Sequence, residues 1–339
     1  MHTALLHRAH DQLLDRRRRL ADLVGEVGDG GDLVTLLRMV DAALERIDGG
    51  TYGSCAVCQE TIDEDTLMRH PLIEYCLCRL NAHQVGALER DLQLAGRVQF
   101  AVLPPPAVRL PGWLGHFRYV PHGAVSGDLC DLVPDPSGAG RLTFIVGDVS
   151  GKGVAASFLM ARLSALFRSL AESGRAVSEI LDTVNRHISE TTLPSHYATV
   201  VCGRAHEDGT VEIANAGHCP PLAIRSGKVA EIGGANVPIG LFEATRYATE
   251  TLWLAPGDSL FLYTDGLTEA RNPADEEFGE ERLRDYLESA AATNPAAMLA
   301  GCLREQREFA GPDAAGDDLT VMVLRRDHAE GDARTAWAS

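Results

Sequence analysis

The sequence predicts an α+β fold, a β-sandwich flanked by helices, for residues 104–326. There, short runs rich in β-branched and aromatic residues are separated by stretches of helical periodicity. Strict alternation of strand and helix is typical of a doubly wound parallel sheet, and this region does not follow it. Of the 339 residues, 45% are hydrophobic and 23% are charged, which is an ordinary globular composition. The length favours two or three structural units.

Residues 1–83 predict a helical hairpin followed by a small cysteine-rich region. Apolar residues recur at mostly helical spacing over 4–27, GDGGD at 28–32 breaks the pattern, and 33–47 resume it. The run Arg16–Arg19 is interpreted as a solvated helix face, because the region around it is not basic. The formal net charge of −17 argues against binding of nucleic acid, which requires positive charge to displace counterions.

Four cysteines in this region have the spacing of zinc ligands: Cys55, Cys58, Cys76 and Cys78. Two cysteine pairs about seventeen residues apart are typical of zinc knuckles. A disulfide framework is not expected in a chain of this size without a secretory signal. A second Cys-x-x-Cys pair that begins at Cys76 would end at position 79, which is an arginine and not a zinc ligand. The fourth ligand is then Cys78, His70 or His83, and the alternative is a degenerate finger with free thiols.

The segment from about 35 to 80 resembles the DksA/TraR-type zinc finger. The similarity lies in ALERIDGGTYGSC, which contains the first cysteine, and in a proline five residues before Cys76. The resemblance implies a closed site with one structural Zn²⁺. Members of that family act on RNA polymerase through a long coiled-coil tip, and this hairpin is too short for that role. The region is therefore interpreted as a sensor or regulatory element.

A linker helix is predicted over residues 84–103. Its apolar residues step by three and four and form a short heptad seam: Val85, Leu88, Leu92, Ala95, Val98 and Val102. Such a seam pairs two helices in parallel, which predicts a homodimer. The alternative is a helix that lies on its own domain. LPPP at 103–106 ends the helix, since proline has no amide donor.

Seven strands and four helices are predicted in residues 104–326. The strands are Phe117–Val120, Leu142–Val149, Ala198–Ala205, Val211–Ala214, Leu222–Arg225, Ser259–Thr264 and Leu319–Leu324. The helices are 154–172, 176–191, 280–292 and 296–310. The polar residues 327–339 are predicted to form a disordered tail.

The sequence predicts a cytoplasmic protein with no membrane and no nucleic acid as a partner. Met1–Leu20 lacks an unbroken apolar core followed by a cleavage site. The best apolar run is interrupted by Asp148 and Lys152, which leaves it short of membrane-spanning length.

Four segments place an aspartate at the end of an apolar strand, beside glycine or another acid. They are SGDLCDL with Asp128 and Asp131, GDVSGKG with Asp148, YTDGLTEA with Asp265, and GDDLTVMVL with Asp317 and Asp318. One such segment is most often only a turn, whereas four in one domain indicate a shared site. Gathered carboxylates repel one another and need cations, and hard oxygen donors suit Mg²⁺ or Mn²⁺.

These segments, in this order along residues 103–325, resemble the SpoIIE/RsbU-like branch of the metal-dependent (PPM) serine/threonine protein phosphatases. Asn185 and further segments complete the pattern: YATVVCG, ANAGHCPPL, VPIGLF and FGEERL. The resemblance implies a PPM-type β-sandwich flanked by helices, with a two-metal centre at one end. It implies hydrolysis of phosphoserine or phosphothreonine. The implied substrate is a phosphorylated anti-anti-sigma (STAS) protein in bacterial partner switching, the regulation of sigma factors.

Carried over position by position, the resemblance implies ligands for two Mn²⁺ or Mg²⁺ ions: Asp128, Asp148, Asp265, Asp317 and the backbone carbonyl of Val149. Asp318 matches the neighbouring acid, and its role as a ligand or as a support for Asp317 stays open. Two cations about 3.5–4 Å apart hold a water as hydroxide and polarise the phosphoryl group. The alternative is a catalytically silent phosphatase-like scaffold whose zinc-finger region binds a transcription partner.

Several positions depart from the family pattern or leave a role open. Ser126-Gly127 replaces two glycines common in members, and Lys152 stands where relatives often carry histidine. The lysine either contacts substrate phosphate or is solvated, so the leaving-group acid is unassigned. His218 matches a family position and is either structural or catalytic. A nucleotide-binding loop is excluded, because GDVSGKG is one residue too short and has Gly153 in place of the hydroxyl residue.

Overall fold

A computed structural model describes residues 3–27, 31–56, 58–75, 82–138, 140–191, 196–234, 236–311 and 316–327. The chain forms two compact units, one that ends at Asp91 and one that begins at Leu92. The division falls inside a helix, Ala82–Val102, at the position of the predicted linker helix.

The N-terminal unit is a helical hairpin with a small irregular region after it. Its helices are α1 (Thr3–Val27), α2 (Gly31–Asp48) and α3 (Glu64–Arg69). The helices α1 and α2 coincide with the predicted hairpin, and their buried apolar residues share one cluster with Tyr52, Cys55 and Leu67. The helix α3 begins where Asp63 accepts a hydrogen bond from the amide of Thr66, the usual cap for a helix start. The small region therefore packs on the hairpin through its own apolar residues.

The helix α4 (Ala82–Val102) exposes most of the apolar seam that the sequence indicates. Leu88, Val98 and Val102 are exposed, and the side chain of Val85 lies outside the described residues. Gly96 and Gln99, on another face, are buried. Gln99 Nε2 donates to the carbonyl of Ser126 at 2.6 Å, and Gln99 Oε1 accepts from the amide of Ser126 at 3.0 Å. The C-terminal turns of α4 are therefore fastened to their own unit by a polar contact.

Eleven strands lie in the described residues of the C-terminal unit. They are β1 (Ala107–Leu110), β2 (Trp113–Val120), β3 (Leu129–Pro134), β4 (Leu142–Val149), β5 (Ala198–Ala205), β6 (Thr210–Ala216), β7 (Leu222–Arg225), β8 (Lys228–Glu231), β9 (Glu250–Trp253), β10 (Ser259–Tyr263) and β11 (Leu319–Arg326). One sheet has the order β1-β2-β11-β10-β7-β8 and the other β3-β4-β5-β6-β9. All neighbouring strands in both sheets are antiparallel.

Five helices accompany the sheets: α5 (Val154–Glu172), α6 (Val177–Thr191), α7 (Asp265–Thr268), α8 (Gly279–Ala290) and α9 (Pro295–Ala310). Residues of α5 and α6 share an apolar cluster with the five-stranded sheet, and residues of α8 and α9 share another with the six-stranded sheet. A third cluster joins the inner faces of the two sheets, with Phe144, Leu262 and Met322 among its members. The predicted β-sandwich flanked by helices is confirmed.

One helix among the described residues, α5, is long and apolar enough to cross a membrane by length and composition. Leu163, Phe167 and other residues of its inner face are buried in the cluster over the five-stranded sheet. This burial is the behaviour of a core helix in a globular domain.

Candidate metal centre

Two pairs of acids meet at one end of the sandwich, one pair from each sheet. Asp128 directly precedes β3 and Asp148 is the penultimate residue of β4, which runs antiparallel to β3 with Leu129 opposite Gly147. Asp265 follows β10 closely and Asp317 precedes β11, and these two strands are also antiparallel neighbours. The hairpin-like register of each strand pair therefore brings its two acids to the same end.

Asp128 is the most deeply buried of the four acids and lies between the two sheets. Its Oδ2 accepts hydrogen bonds from Thr320 Oγ1 at 2.6 Å and from Thr264 Oγ1 at 3.0 Å, both on the six-stranded side. Burial raises the pKa of Asp128 well above its usual value, and the negative charges of Asp148 and Asp318 add to the rise. The carboxylate is thus held in one orientation by protein donors.

Asp148 and the carbonyl of Val149 face the backbone of Gly127. A Cβ atom added to Gly127 would lie 3.2 Å from Asp148 Oδ1 and 3.2 Å from Val149 O. Because glycine lacks that atom, the backbone can approach both oxygens this closely. Burial raises the pKa of Asp148 to about 7, and the charges of Asp265 and Asp317 contribute.

The acids of the six-stranded side are more accessible. Burial, followed by the charge of Asp317, raises the pKa of Asp265. Lys152 Nζ lies 2.7 Å from Asp317 Oδ2, and this ion pair is open to solvent. A Cβ on Gly266 would lie 2.0 Å from the backbone oxygen of Asp318, so the turn that carries Asp265 can approach β11 only with glycine at this position.

Asp318 holds the loop that precedes Asp128. Its Oδ1 accepts from the amide of His122 at 2.8 Å, and its Oδ2 accepts from the amide of Gly127 at 2.9 Å. Both of its carboxylate oxygens therefore bind backbone amides, which favours the supporting role that the sequence left open.

The donor set fits hard divalent cations. Several aspartate carboxylates and one backbone carbonyl are the ligands that Mg²⁺ and Mn²⁺ prefer. Mutual repulsion contributes to the raised pKa of Asp128, Asp148 and Asp265, and a bound cation would relieve it. Gly127 lets the backbone before β3 lie close to Asp148 and Val149, since an added Cβ would be 3.2 Å from both oxygens.

Asp131 and His218, two candidates from the sequence, form contacts with residues outside the group of four aspartates. Asp131 is fully buried and pairs with Arg168 of α5 at 2.6 Å, so this acid joins a strand to a helix. His218 is buried, its Nδ1 lies 2.9 Å from Thr199 Oγ1, and its backbone amide and carbonyl both bind the side chain of Asn215. Burial lowers the pKa of His218 to about 4, so the ring is neutral at pH 7. These contacts favour a structural role for the histidine.

Sequence reasoning missed three residues that support the acids. Thr264 and Thr320 bind Asp128 from the opposite sheet, and Gln99 fastens the backbone two residues before Asp128. Each threonine stands within two residues of a singled-out acid, which is a signal that could have found it. Gln99 is far in sequence from every singled-out acid and is not part of the apolar seam of α4. Nothing in the sequence therefore indicated its contact with Ser126.

Comparison with known proteins identifies relatives of the C-terminal unit. The profile of the family described as Stage II sporulation protein E (SpoIIE) matches residues 138–327, more than half of the chain. Phosphoserine phosphatase RsbU of Bacillus subtilis (strain 168) is 26% identical over 212 residues, which cover 61% of this chain and 61% of RsbU. Phosphoserine phosphatase RsbP of the same organism is 25% identical over 241 residues, which cover 69% of this chain and 58% of RsbP.

Protein IcfG of Synechocystis sp. is 26% identical over 231 residues, which cover 60% of this chain and 36% of IcfG. The chain therefore spans less than two thirds of the length of each of these curated relatives.

Solved structures share the fold. The RsbU and RsbW domains of a Mycobacterium tuberculosis protein superpose with a TM-score of 0.57 at 28% identity, over 66% of this chain and 62% of that one. The SiaA-PP2C domain of Pseudomonas aeruginosa gives a TM-score of 0.64 at 22% identity, over 73% of this chain and all of that domain. These likenesses place the two-sheet sandwich among PP2C folds.

Proposed function

Because the chain belongs to the SpoIIE family, which has a PP2C-type phosphatase domain, we propose that it is a metal-dependent protein serine/threonine phosphatase. It hydrolyses phosphoserine or phosphothreonine with two Mn²⁺ or Mg²⁺ ions. The observation that carries the proposal is the gathering of aspartates at one end of the sandwich, where burial and then the charges of Asp265 and Asp317 raise the pKa of Asp148. Hard carboxylate oxygens gathered in this way suit a divalent cation.

The residues that would hold the ions are Asp128, Asp148, Asp265, Asp317 and the carbonyl of Val149. Two such ions, when bound, activate a water and polarise a phosphoryl group for in-line attack. The threonines at Asp128 and the amides at Asp318 orient the acids before substrate arrives. Lys152, at the solvent edge beside Asp317, provides positive charge for the substrate phosphate. The contacts of His218 with Thr199 and Asn215 favour a structural role for it over that of the leaving-group acid.

The proposed substrate is a phosphorylated STAS-domain protein in bacterial partner switching, and the proposed location is the cytoplasm. The kinship with the phosphoserine phosphatases RsbU and RsbP supports a phosphoserine protein as substrate. A solved relative that contains both RsbU and RsbW domains supports a place in the same kind of regulation.

The test is a phosphatase assay of the full chain with Mn²⁺ titration, using p-nitrophenyl phosphate and a phosphoserine STAS-domain protein. We expect Mn²⁺-dependent hydrolysis that Asp148→Asn or Asp265→Asn lowers at least a hundredfold, since each removes a charged ligand. Asp275→Asn is the matched control, because its exposed carboxylate lies outside the acid cluster and asparagine tolerates its positive φ of 64°. Normal metal binding without hydrolysis of either substrate would instead favour the silent scaffold.

For the N-terminal unit we propose one structural Zn²⁺ held by Cys55, Cys58, Cys76 and Cys78. Cys76 and Cys78 lie outside the described residues. The backbone before them supports the proposal, because the amide of Ala56 donates to the carbonyl of Glu74 at 2.7 Å. This bond places the chain that leads into Cys76 beside the first cysteine pair. The amide of Gln59 also donates to the carbonyl of Cys55, and the positive φ of 60° at Gln59 closes a tight turn around that pair.

A metal inventory of the purified chain tests the zinc proposal. We expect one zinc per chain and a lower melting temperature of the N-terminal unit after Cys55→Ser, because structural zinc contributes folding free energy. Cys302→Ser, a cysteine of α9 in the other unit, is the control that keeps the zinc content. Zinc-free protein with unchanged stability would contradict the proposal.

We further propose that residues 1–83 regulate the phosphatase through α4, whose exposed apolar seam pairs two chains. The two hydrogen bonds of Gln99 support this, since they join α4 to the loop that carries Asp128. Deletion of residues 1–83 is expected to change activity or Mn²⁺ affinity. Unchanged values, and a monomer by light scattering at all concentrations, would contradict the regulatory and dimer proposals respectively.

A further inference from the structure

A loop at the acid end of the five-stranded sheet exposes large apolar side chains. Val237 is 38% exposed, Leu241 40% and Phe242 50%. Clustered exposed apolar side chains are typical of interaction surfaces, whereas single exposed ones are common on any protein. The catalytic proposal gives none of them a role.

The backbone of this loop is held firmly by a buried asparagine of α6. Asn185 is fully buried, and its Nδ2 donates to the carbonyls of Phe242 at 2.8 Å and Glu243 at 3.2 Å. Its Oδ1 accepts from the amide of Gly240 at 2.9 Å and from Tyr247 Oη at 3.3 Å. A loop anchored in this way presents its apolar side chains at little cost in conformational entropy when they bind a partner.

The register places the loop beside the candidate metal ligands. Ile239 forms an isolated bridge with Ala198, and Ala198 pairs in turn with Val149 of β4. Two strand separations, about 10 Å in all, therefore lie between Ile239 and the carbonyl of Val149.

The helix α5 contributes two further exposed apolar side chains near the same end of the sheet. Phe158 is 72% exposed and Val154, one helical turn earlier on the same face, is 45% exposed. The helix α5 that carries them begins only five residues after the metal-ligand carbonyl of Val149. We name Phe158, Val237, Leu241 and Phe242 the apolar rim.

We propose that the apolar rim is the docking surface for the folded protein substrate, which it contacts through an apolar patch beside the phosphoserine. The inference rests on the proposed function and deepens it by naming what the enzyme recognises. The chain has a net charge of −17, so long-range electrostatics do not attract an anionic phosphoprotein, and apolar contact supplies the affinity. The loop that carries Val237, Leu241 and Phe242 lies two strand separations from Val149, so one folded partner reaches both the loop and the acids.

A small phosphate ester carries no apolar protein surface for the rim to bind, which gives a direct test. The substrates are p-nitrophenyl phosphate, a folded phosphoserine STAS-domain protein, and a nine-residue phosphopeptide with the sequence around the same serine. The variants are Leu241→Ser and Phe242→Ser. We expect kcat/KM for the folded protein to fall about tenfold, mainly through KM, because anchor residues of this size carry much of the binding energy of an interface. Hydrolysis of the ester stays within twofold.

Trp253→Ser is the matched control. Trp253 is 58% exposed on β9 and pairs with Thr210, at the end of the same sheet that is remote from Asp148. It is expected to leave the kinetics with all three substrates unchanged. Melting temperatures verify that the rim variants remain folded.

Equal loss on all three substrates, or no loss on the folded protein, would overturn the docking proposal. So would equal kcat/KM of the native enzyme for the folded protein and the peptide. Absence of hydrolysis of every substrate would defeat the proposed function instead. In that case, calorimetric binding of the phosphoprotein decides the docking proposal, which requires about tenfold weaker binding by Phe242→Ser and unchanged binding by Trp253→Ser.

Discussion

In the five-stranded half of the acid cluster, Asp128 is 1% exposed and receives hydrogen bonds from two threonines of the opposite sheet. In the six-stranded half, the side chain of Asp317 is 42% exposed and pairs with a solvent-accessible lysine. The first acid is positioned by the packing of the sandwich, whereas the second pairs with an exposed lysine that a bound cation would displace. In the proposed metal centre, one aspartate would thus be preorganised and the other would exchange its lysine partner for the cation.

The largest expected effects come from neutralising one aspartate in each half. The two variants should lose activity alike but differ in their free energy of unfolding. Asp128→Asn and Asp317→Asn should each lower Mn²⁺-dependent activity at least a hundredfold, since both remove a charge from the cluster. In metal-free protein, Asp128→Asn should raise the free energy of unfolding by about 1 kcal/mol or more, because the amide still accepts from the threonines without a buried charge. Asp317→Asn should change it by less than about 0.5 kcal/mol, since that carboxylate is exposed.

Activity on p-nitrophenyl phosphate and urea unfolding in excess chelator are the measurements. Equal shifts in unfolding free energy for the two variants would show that the halves do not differ in preorganisation.

The buried histidine of the five-stranded half should contribute a loss of stability in mild acid, opposite in sign to the gain from the acids whose pKa is raised. The pKa of His218 is lowered from 6.5 to about 4 by burial, so the unfolded chain takes up a proton before the folded one does. The stability from the neutral ring is complete above pH 6.5 and is lost as the pH falls toward 4, by about 3 kcal/mol in all. Urea unfolding at intervals from pH 7 to 4 measures it. His218→Gln should lack this part of the slope, and parallel curves would refute the assignment.

A smaller change tests whether Asp148 and Val149 hold a cation together. Gly127→Ala adds a methyl group 3.2 Å from both oxygens, which must then move apart by a few tenths of an ångström. We expect Mn²⁺ affinity to weaken about tenfold at nearly unchanged melting temperature, because metal sites tolerate only small displacements of their ligands. Gly234→Ala is the control, since its added methyl group would meet nothing within 4 Å. Equal affinities would place the cation elsewhere.

The smallest expected effect is a change in Mn²⁺ affinity at the six-stranded half of the acid cluster, which contains Asp317. Lys152→Gln removes the charge that pairs with Asp317, so Mn²⁺ no longer competes with the ammonium group for that carboxylate. We expect affinity to tighten about two- to fivefold at low salt, in keeping with the modest free energy of exposed ion pairs. Isothermal titration calorimetry at two salt concentrations measures the change. Lower or unchanged affinity would mean that the lysine and the ion do not share Asp317.

Local pattern was sufficient for the long helices and for most of the strands. The helix predicted at 154–172 is observed as Val154–Glu172, and the strand predicted at Leu142–Val149 is observed with the same bounds. Both follow from periodicity and neighbouring glycines, which are properties of consecutive residues. The four-residue strands β1, β8 and β9 were missed because none of their residues is buried, whereas the equally short β7, which was predicted, is mostly buried and apolar. The strand β3 was expected beside Asp128 from the apolar run in SGDLCDL, and its bounds, Leu129–Pro134, come from the structure.

The sequence by itself determined the order of the elements and the placement of four aspartates at strand ends, because both depend on residues adjacent in the chain. Only the tertiary structure decided that Thr264 and Thr320 bind Asp128, that Asp318 holds the loop at Gly127, and that an anchored apolar loop adjoins Val149. These relations join residues tens to nearly two hundred positions apart. Such contacts arise from the packing of two sheets, and no local periodicity records them.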